Sequence, residues 1–262
     1  MDKLTIAVTG SAGFLGKAII RELLSPDCLL NIGEIRLMTH SGEEPVNSGI
    51  FKYYKGDIRD KEKVIEFCHG ADVVLHLASL VDWGRCSRSE VLDVNVNGTK
   101  NILDACIKTK VKAVVYTSSL DAIGAVEPIR DKDESLPYPN KFPNAYCESK
   151  ALAEKAVTDA ADRGLPVVSL RPCGIYGEAD PFHLGSLIEL AQKGSYIRVG
   201  NGKARCMHVY VGNVAHAHIL AAKELISGNK KIWGKPYFIT DSEPENFFKF
   251  LIKKRESRDN LF

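Results

Sequence analysis

Short apolar runs alternate with amphipathic runs along the first two-thirds of the chain. The apolar runs predict β-strands at 4–9, 34–39, 51–55, 71–78, 112–118 and 166–171. Several are apolar throughout, as is typical of strands that helices cover on both faces. Runs with helical periodicity predict helices over 14–24, 60–69, 88–109 and 146–163. This alternation predicts an α/β fold, a doubly wound parallel sheet of the Rossmann type.

Beyond Arg171 the pattern becomes less regular. It predicts helices near 182–193, 213–227 and 244–255, and short strands near 206–211 and 236–240. We interpret this part as a small cap that completes a pocket. The segment 124–144 contains four prolines and many charges, so we expect it to form a surface loop that serves as a pocket wall.

Composition narrows the class of protein. The 35 basic and 33 acidic side chains give a net charge of +2, which offers no support for nucleic-acid binding. The first residues lead directly into a strand, and no apolar run is long enough to cross a bilayer, so we expect neither a signal peptide nor a transmembrane helix. The seven cysteines are scattered without a CxxC pair, which favours reduced thiols over disulfides or a metal site.

The stretch VTGSAGFLGKAII places Gly10, Gly13 and Gly16 between the first strand and the first helix. Glycines here permit a tight turn and let the backbone approach a pyrophosphate. The helix N-terminus then supplies unpaired N–H groups and the positive end of its dipole. We therefore predict a dinucleotide-binding domain over 1–175 and a substrate-side region over 176–262, interleaved in one compact unit.

Two further strand ends point to the same edge of the sheet. Asp57 follows the third strand, where it could accept a hydrogen bond from an adenine amino group or simply cap the next helix, a role for which Asp60 is an equal candidate. The fourth strand leads into the small Ala78, which leaves room for a cofactor. We interpret His76 as a core histidine.

Hydroxyl side chains end the fifth strand, in VVYTSSLDAIG, and a Tyr-xxx-Lys pair opens the next helix, in NAYCESK. Tyr146 and Lys150 are four residues apart and share one helix face. The positive charge of Lys150 is expected to favour the phenolate by lowering the pKa of Tyr146, which makes Tyr146 a proton acceptor. Ser119, with Ser118 as the alternative, would hold the substrate oxygen.

Taken together, these stretches resemble the 3β-hydroxysteroid dehydrogenase/isomerase family of extended short-chain dehydrogenases/reductases. VYVGNVAHAHILA and ITDSEPENFFKFL carry the more family-specific part of the resemblance. The resemblance implies that Tyr146 is the acid/base, Lys150 its partner and ribose ligand, and Ser119 the orienting hydroxyl, and that Asn95 steadies the sheet. It implies NAD as cofactor, with NADP left open, bound by Gly10, Gly13, Phe14, Leu15, Gly16, Thr39, Asp57, Ile58, Ala78, Tyr146, Lys150, Pro172, Gly174 and Ile175.

The implied reaction is oxidation of a 3β-hydroxyl group on a steroid or sterol, which some members follow with a double-bond shift. The expected partner is thus a small apolar substrate, and the resemblance leaves a homodimer open. It also implies a location on the cytoplasmic side, peripheral to the endoplasmic reticulum membrane. Two alternatives remain: an extended enzyme for a nucleotide sugar or phenolic carbonyl compound, and a truncated isoform that binds dinucleotide without turnover.

The chain departs from the family pattern in two places. Thr39 stands where the family often has an Asp that binds the adenosine ribose, so the choice between NAD and NADP stays open. The sequence ends at Phe262, where the family usually continues well beyond NFFKFL. We therefore expect a small, truncated C-terminal cap.

Overall fold

Seven parallel strands form the centre of the molecule. The computed structural model describes residues 3–40, 49–81, 84–124, 132–181, 201–241 and 243–257. The strands are β1 (Leu4–Thr9), β2 (Ile32–Thr39), β3 (Phe51–Lys55), β4 (Val73–His76), β5 (Ala113–Thr117), β6 (Val167–Pro172), β7 (Gly174–Tyr176), β8 (Arg205–Cys206), β9 (His208–Tyr210), β10 (Pro236–Ile239) and β11 (Glu245–Asn246). The helices are α1 (Phe14–Leu23), α2 (Lys61–Cys68), α3 (Arg88–Leu92), α4 (Gly98–Thr109), α5 (Ala145–Asp162), α6 (Val211–Ile226) and α7 (Phe247–Ser257).

The main sheet has the order β10-β6-β5-β4-β1-β2-β3, with every neighbouring pair parallel. One buried layer lies between the sheet and α2, α4 and α5, and the other lies between the sheet and α1 and α6. The predicted doubly wound Rossmann-type fold is therefore confirmed. The carboxyl ends of β1, β4 and β5 meet at one edge, where such folds bind ligands.

Element boundaries differ from the prediction where side-chain packing intervenes. The single helix expected over 88–109 is α3 and α4 joined by a π-helical turn, Asp93–Asn97. The strand expected near 206–211 is divided into β8 and β9, and α6 begins directly at Val211. The helix expected near 182–193 lies outside the described residues, as does part of the expected loop over 124–144.

Later parts of the chain pack against earlier ones. β10 extends the main sheet beside β6, and α6 packs on α1. The division of the chain at residue 175 stays a prediction. None of the described helices is long and apolar enough to cross a membrane. None of the seven cysteines, all of which lie in described parts of the chain, forms a disulfide, and the Sγ atoms of Cys68 and Cys106 lie 3.9 Å apart in the core.

A buried ion pair connects α5 to β6. Glu154 and Arg171 are 1% and 2% exposed, and the Arg171 guanidinium donates from both Nε and Nη2 to the Glu154 carboxylate. The Tyr138 hydroxyl donates to the same carboxylate at 2.7 Å. Because two charges are removed from water here, each depends on the other for its stability in the fold.

We predict that Glu154→Gln lowers the free energy of unfolding by about 3–5 kcal/mol, because the Arg171 charge stays buried without its carboxylate. The matched control is Asp104→Asn, which breaks the exposed 2.9 Å pair with Arg163 and should cost less than about 1 kcal/mol. Urea unfolding of both variants provides the measurement. Equal losses in the two variants would contradict the prediction.

Candidate active site

The glycine-rich turn between β1 and α1 leaves no room for side chains. A Cβ on Gly10, whose φ is +68°, would lie 2.8 Å from the Ala78 nitrogen. A Cβ on Gly16 would lie 2.6 Å from the Ser11 carbonyl oxygen and closer still to that of Gly10. These close approaches hold the turn against both the segment after β4 and the first turn of α1. Glycine is therefore required at both positions.

The N-terminus of α1 is open to an anion. Gly13 is its N-cap and offers no side-chain oxygen to the helix, and the first turn contains no acidic residue. The unpaired N–H groups and the positive end of the helix dipole consequently remain available at the sheet edge. Phe14 and Leu15, in this first turn, are half-buried and pack on the core. This cradle fits the pyrophosphate that the glycine spacing predicts.

The carboxyl ends of β2 and β3 lie beside this turn. Thr39 ends β2 and is half-buried. Asp57 follows β3, and its carboxylate accepts from the Arg59 backbone N–H at 2.9 Å and from Nη2 of the same residue at 2.6 Å. This hydrogen bonding holds the pKa of the Asp57 carboxyl below its usual range.

Asp57 is not the helix cap. Asp60 caps α2 by accepting from the backbone N–H groups of Glu62 and Lys63, so of the two candidate caps Asp60 is the one used. The interpretation of Asp57 as an adenine contact stays a prediction. The Ile58 side chain is 5% exposed and lies in the core against α4, and its predicted contact with the cofactor stays a prediction.

The segment after β5 presents Ser119. β5 ends at Thr117, and Ser119 is the N-cap of a 3₁₀ turn, Leu120–Ile123. Its Oγ accepts from the Asp121 backbone N–H at 3.1 Å and donates to the Asp121 carboxylate at 3.0 Å. Ser118, the alternative, is buried, and its Oγ has no hydrogen-bond partner among the described residues. The half-buried Ser119 is the better placed of the two hydroxyls.

Tyr146 and Lys150 occupy the first two turns of α5, as their spacing predicts. Asn144 caps this helix by accepting from the Cys147 N–H at 2.9 Å. The Lys150 Nζ lies 5.7 Å from the centre of the Tyr146 ring and donates to the Thr117 carbonyl oxygen at 2.9 Å. The backbone at the end of β5 and two side chains on α5 are thus brought together at the edge of the sheet.

The electrostatics of this group differ from the expectation in one respect. The pKa of Tyr146 is raised, not lowered: burial raises it most, the Asp121 charge raises it further, and a hydrogen bond with Ser119 lowers it. Burial also lowers the pKa of Lys150 to about 8, against the opposite pull of Asp121 and Glu154. Lys150 is not among the groups that shift the pKa of Tyr146, so the lowering that we expected from it is not found.

Sequence reasoning did not identify Asp121. Its position two residues after Ser119, in the turn that follows a strand of the predicted site, was the only available signal. The carboxylate raises the pKa values of Tyr146, Cys147 and Lys150, because a nearby negative charge favours the protonated form of each. Asp121 therefore contributes to the proton chemistry of the whole group.

Two buried histidines contact threonines that end strands of the main sheet. The His76 ring nitrogens lie 2.8 Å from Thr9 Oγ1 and 3.0 Å from Thr99 Oγ1, and burial lowers its pKa to about 3. This confirms its interpretation as a core histidine. His218 Nε2 lies 2.7 Å from Thr117 Oγ1, and burial lowers the pKa of His218 to about 4. Both rings are neutral near pH 7.

Asn95 ties the segment after β4 to α5. It lies in the π-helical turn, accepts from the Leu80 N–H at 2.7 Å, and donates to the Leu80 carbonyl and to Ser149 Oγ. On the other side of the site, Pro172 ends β6, and Gly174 and Ile175 begin β7. Among the described residues, no group of His, Cys, Asp and Glu is arranged to hold a metal ion.

Sequence comparison places this geometry in a family. The family model described as "3-beta hydroxysteroid dehydrogenase/isomerase family" matches residues 7–259. The chain belongs to this family. It is 37% identical over 259 residues to human 3 beta-hydroxysteroid dehydrogenase type 7, and that match covers 93% of this chain and 70% of the human protein. The resemblance inferred from the motifs is therefore confirmed.

Other relatives are longer than this chain. The match to 3beta-hydroxysteroid-dehydrogenase/decarboxylase isoform 1 of Arabidopsis thaliana is 36% identical over 267 residues, and covers 95% of this chain but 60% of that protein. The match to the 3 beta-hydroxysteroid dehydrogenase/Delta 5-->4-isomerase of vaccinia virus (strain Copenhagen) is 36% identical, and covers 95% of this chain and 75% of the viral protein.

Solved structures share the fold. The dTDP-glucose 4,6-dehydratase DesIV from Streptomyces venezuelae, solved with NAD and TYD bound, superposes with a TM-score of 0.82 at 23% identity. That superposition covers 98% of this chain and 81% of the dehydratase. A UDP-N-acetylglucosamine 4-epimerase from Bacillus cereus gives a TM-score of 0.78 at 23% identity, with 98% and 83% covered. At these identities the likeness supports the fold alone.

We predict that Asp121→Asn moves the pH dependence of turnover to lower pH by up to about one unit, because it removes the charge that raises the pKa values of Tyr146 and Lys150. Asparagine retains an oxygen that can accept from Ser119. The measurement is kcat/KM between pH 6 and 10, with Asp133→Asn, an exposed change in the 132–144 segment, as the control. A profile that is unmoved, or moved upward, would contradict this assignment.

Proposed function

We propose that this protein is a nicotinamide-dependent dehydrogenase that oxidises a 3β-hydroxyl group on a steroid or sterol. The observation that carries the proposal is the convergence of Tyr146, Lys150 and Ser119 at the sheet edge, beside a glycine turn that fits a dinucleotide. Membership of the family and the activities named for its relatives support the choice of substrate.

In this proposal each residue has a defined task. The Tyr146 oxygen accepts the proton of the substrate hydroxyl, and the Ser119 hydroxyl, which lowers the pKa of Tyr146, orients the substrate oxygen. Lys150 is fixed by the Thr117 carbonyl, and its protonated fraction stabilises the phenolate. Because the pKa of Tyr146 is raised, the phenolate must be stabilised by the site as it stands when substrate and cofactor are bound.

The cofactor would be held by the chain's own backbone and small residues. Gly10, Gly13 and the N-terminus of α1 would receive the pyrophosphate, and the turn at Pro172, Gly174 and Ile175 would border the nicotinamide. When bound, the nicotinamide supplies the hydride acceptor, a chemistry that no protein side chain provides.

We predict that Tyr146→Phe lowers kcat by on the order of 10² or more and leaves dinucleotide affinity nearly unchanged, because the proton acceptor is lost and the glycine turn is not. Tyr237→Phe, the same chemical change on β10, is the control. Cofactor reduction is measured with a panel of 3β-hydroxysteroids, sterols, nucleotide sugars and phenolic carbonyl compounds.

The panel also separates the alternatives. Turnover of sugars or phenolic compounds in preference to steroids would replace the proposed substrate class. Tight dinucleotide binding without turnover of any compound would favour the non-catalytic alternative. Near-wild-type turnover in Tyr146→Phe would rule out the assigned proton acceptor.

We predict that Thr39→Asp raises the preference for NAD over NADP by at least about tenfold, because a carboxylate at the end of β2 accepts from the ribose hydroxyls and repels a 2′-phosphate. In the unaltered protein we expect both cofactors to be accepted within about tenfold, a gap of roughly 1.4 kcal/mol. The measurement is the ratio of kcat/KM for the two cofactors, and a ratio unmoved by the substitution would assign ribose recognition to another residue.

From the family resemblance we also propose a peripheral association with the endoplasmic reticulum membrane on its cytoplasmic side, and a homodimer. Flotation with vesicles tests the membrane association, and light scattering tests the homodimer.

A further inference from the structure

A buried network of hydrogen bonds connects the end of β1 to α5. It runs through five residues on five segments of the chain: Thr9, His76, Thr99, Asn95 and Ser149. We call it the His76 network. All five residues are at most 2% exposed. Because solvent does not reach them, each polar group depends on a partner within the protein.

The Thr9 hydroxyl sets the direction of the first hydrogen bond. Thr9 ends β1 directly before Gly10, and its Oγ1 accepts from the backbone N–H groups of Leu77 and Ala78, both at 3.1 Å. A hydroxyl oxygen has two lone pairs and one hydrogen. With both lone pairs engaged, this hydroxyl donates to the His76 Nδ1 that lies 2.8 Å away. Nδ1 is therefore an acceptor, and the neutral imidazole carries its proton on Nε2.

The other side of the His76 ring continues in the same direction. His76 Nε2 lies 3.0 Å from Thr99 Oγ1, to which it donates in this tautomer, and the Thr99 hydroxyl donates to the Asn95 carbonyl oxygen at 2.6 Å. A protonated ring would direct an N–H group at a Thr9 oxygen that already accepts two hydrogen bonds. Burial, followed by the charge of Lys150, lowers the pKa of His76 to about 3, so the ring is neutral as the network requires.

Asn95 extends the His76 network to the helix of Tyr146. Its side-chain amide donates to Ser149 Oγ at 2.9 Å, and the Ser149 hydroxyl donates to the Tyr146 carbonyl oxygen at 2.7 Å. Two further hydrogen bonds with the Leu80 backbone fix the orientation of the amide. The network therefore joins the residue before the glycine turn to the backbone of the tyrosine assigned as proton acceptor.

The proposed reaction needs the two ends of this network in register. A hydride leaves the carbon of the substrate's alcohol group, and a proton leaves its oxygen. The glycine turn after β1 would place the hydride acceptor, whereas α5 places the proton acceptor, and β4 lies between β1 and β5 in the sheet. His76 ends β4, so it stands between the two parts. A displacement of about 1 Å between reacting groups costs on the order of 10² in rate.

We propose that His76 is a positioning residue that, through Thr9 and Thr99, holds the glycine turn and the helix of Tyr146 in one fixed arrangement. The inference rests on the proposed function, because it makes the chemical step the one that depends on the His76 network. His76 exchanges no proton in this role, and its contribution is geometric. Thr99 is the link that can be cut without changing the contacts that Thr9 makes beside the glycine turn.

Two substitutions at Thr99 separate positioning from stability. Thr99→Val keeps nearly the same shape and removes the hydroxyl, whereas Thr99→Ser keeps the hydroxyl and removes a buried methyl group. We expect Thr99→Val to lower kcat by about tenfold and Thr99→Ser to keep it within about twofold. Both should leave the KM for the steroid and the Kd of NAD within about twofold, because neither alters the glycine turn. Equal kcat values in the two variants would overturn the inference.

A second comparison uses the two buried histidines. His76→Leu should lower kcat by about tenfold or more, and adding Thr99→Val should lower it by less than a further twofold or so, because both changes break one connection. His218→Leu is the matched control, since His218 also bonds to a strand-end threonine but its other nitrogen contacts the Val214 carbonyl of its own helix. Urea unfolding compares the stabilities of the variants. A kcat loss in His218→Leu equal to that in His76→Leu would assign the effect to stability and overturn the inference.

The direction of the network is tested without substrate. The ¹⁵N NMR signals of His76, assigned by their absence in His76→Leu, should show a proton on Nε2 and no titration between about pH 5 and pH 9. A proton on Nδ1, or unchanged kcat in both His76→Leu and Thr99→Val, overturns this inference and leaves the proposed function standing. Absence of turnover of any 3β-hydroxysteroid or sterol by the wild-type protein overturns both.

Discussion

A buried ammonium is the constraint on which the candidate site depends. Lys150 is 3% exposed, and its Nζ donates to the Thr117 carbonyl oxygen at the end of β5. This hydrogen bond joins α5 to the centre of the sheet at the point where Ser119 follows. Because an uncompensated buried charge is costly, neighbouring elements must supply both its acceptor and its counter-charge.

The surroundings of Lys150 satisfy this constraint at some distance. Asp121 and Glu154 both raise its pKa, while burial lowers it to about 8. Glu154 is itself held by Arg171 on β6 and by Tyr138, so part of its charge is already neutralised. Asp121 is exposed and has no cation paired with it among the described residues, which makes it the more variable influence. The protonation of the Tyr146–Lys150 pair is thus influenced by charges on the turn after β5 and on α5.

The predicted binding of the cofactor's adenosine end depends on other features of the fold. There the proposed cradle is backbone, formed by Gly10, Gly13 and the N-terminus of α1, and Thr39 and Asp57 stand at the ends of β2 and β3 beside it. Thr39 carries no charge that would repel a phosphate, which is why we expect both cofactors to be accepted.

The sequence by itself determined the fold class, the glycine turn and the Tyr146–Lys150 pair. Each of these depends on local periodicity or on residues one helical turn apart, which the chain order alone specifies. It also determined the family, because motifs such as VYVGNVAHAHILA are contiguous in the sequence and are recognisable without the fold.

Only the tertiary structure decided the pKa values and the contacts of the side chains in the candidate site. The raised pKa of Tyr146 results from burial and from Asp121, and neither is visible in a spacing of four residues. The Thr117 carbonyl meets Lys150 because β5 ends beside the first turns of α5. Charges act through space and solvent exposure, so their balance appears only when segments distant in sequence have been packed together.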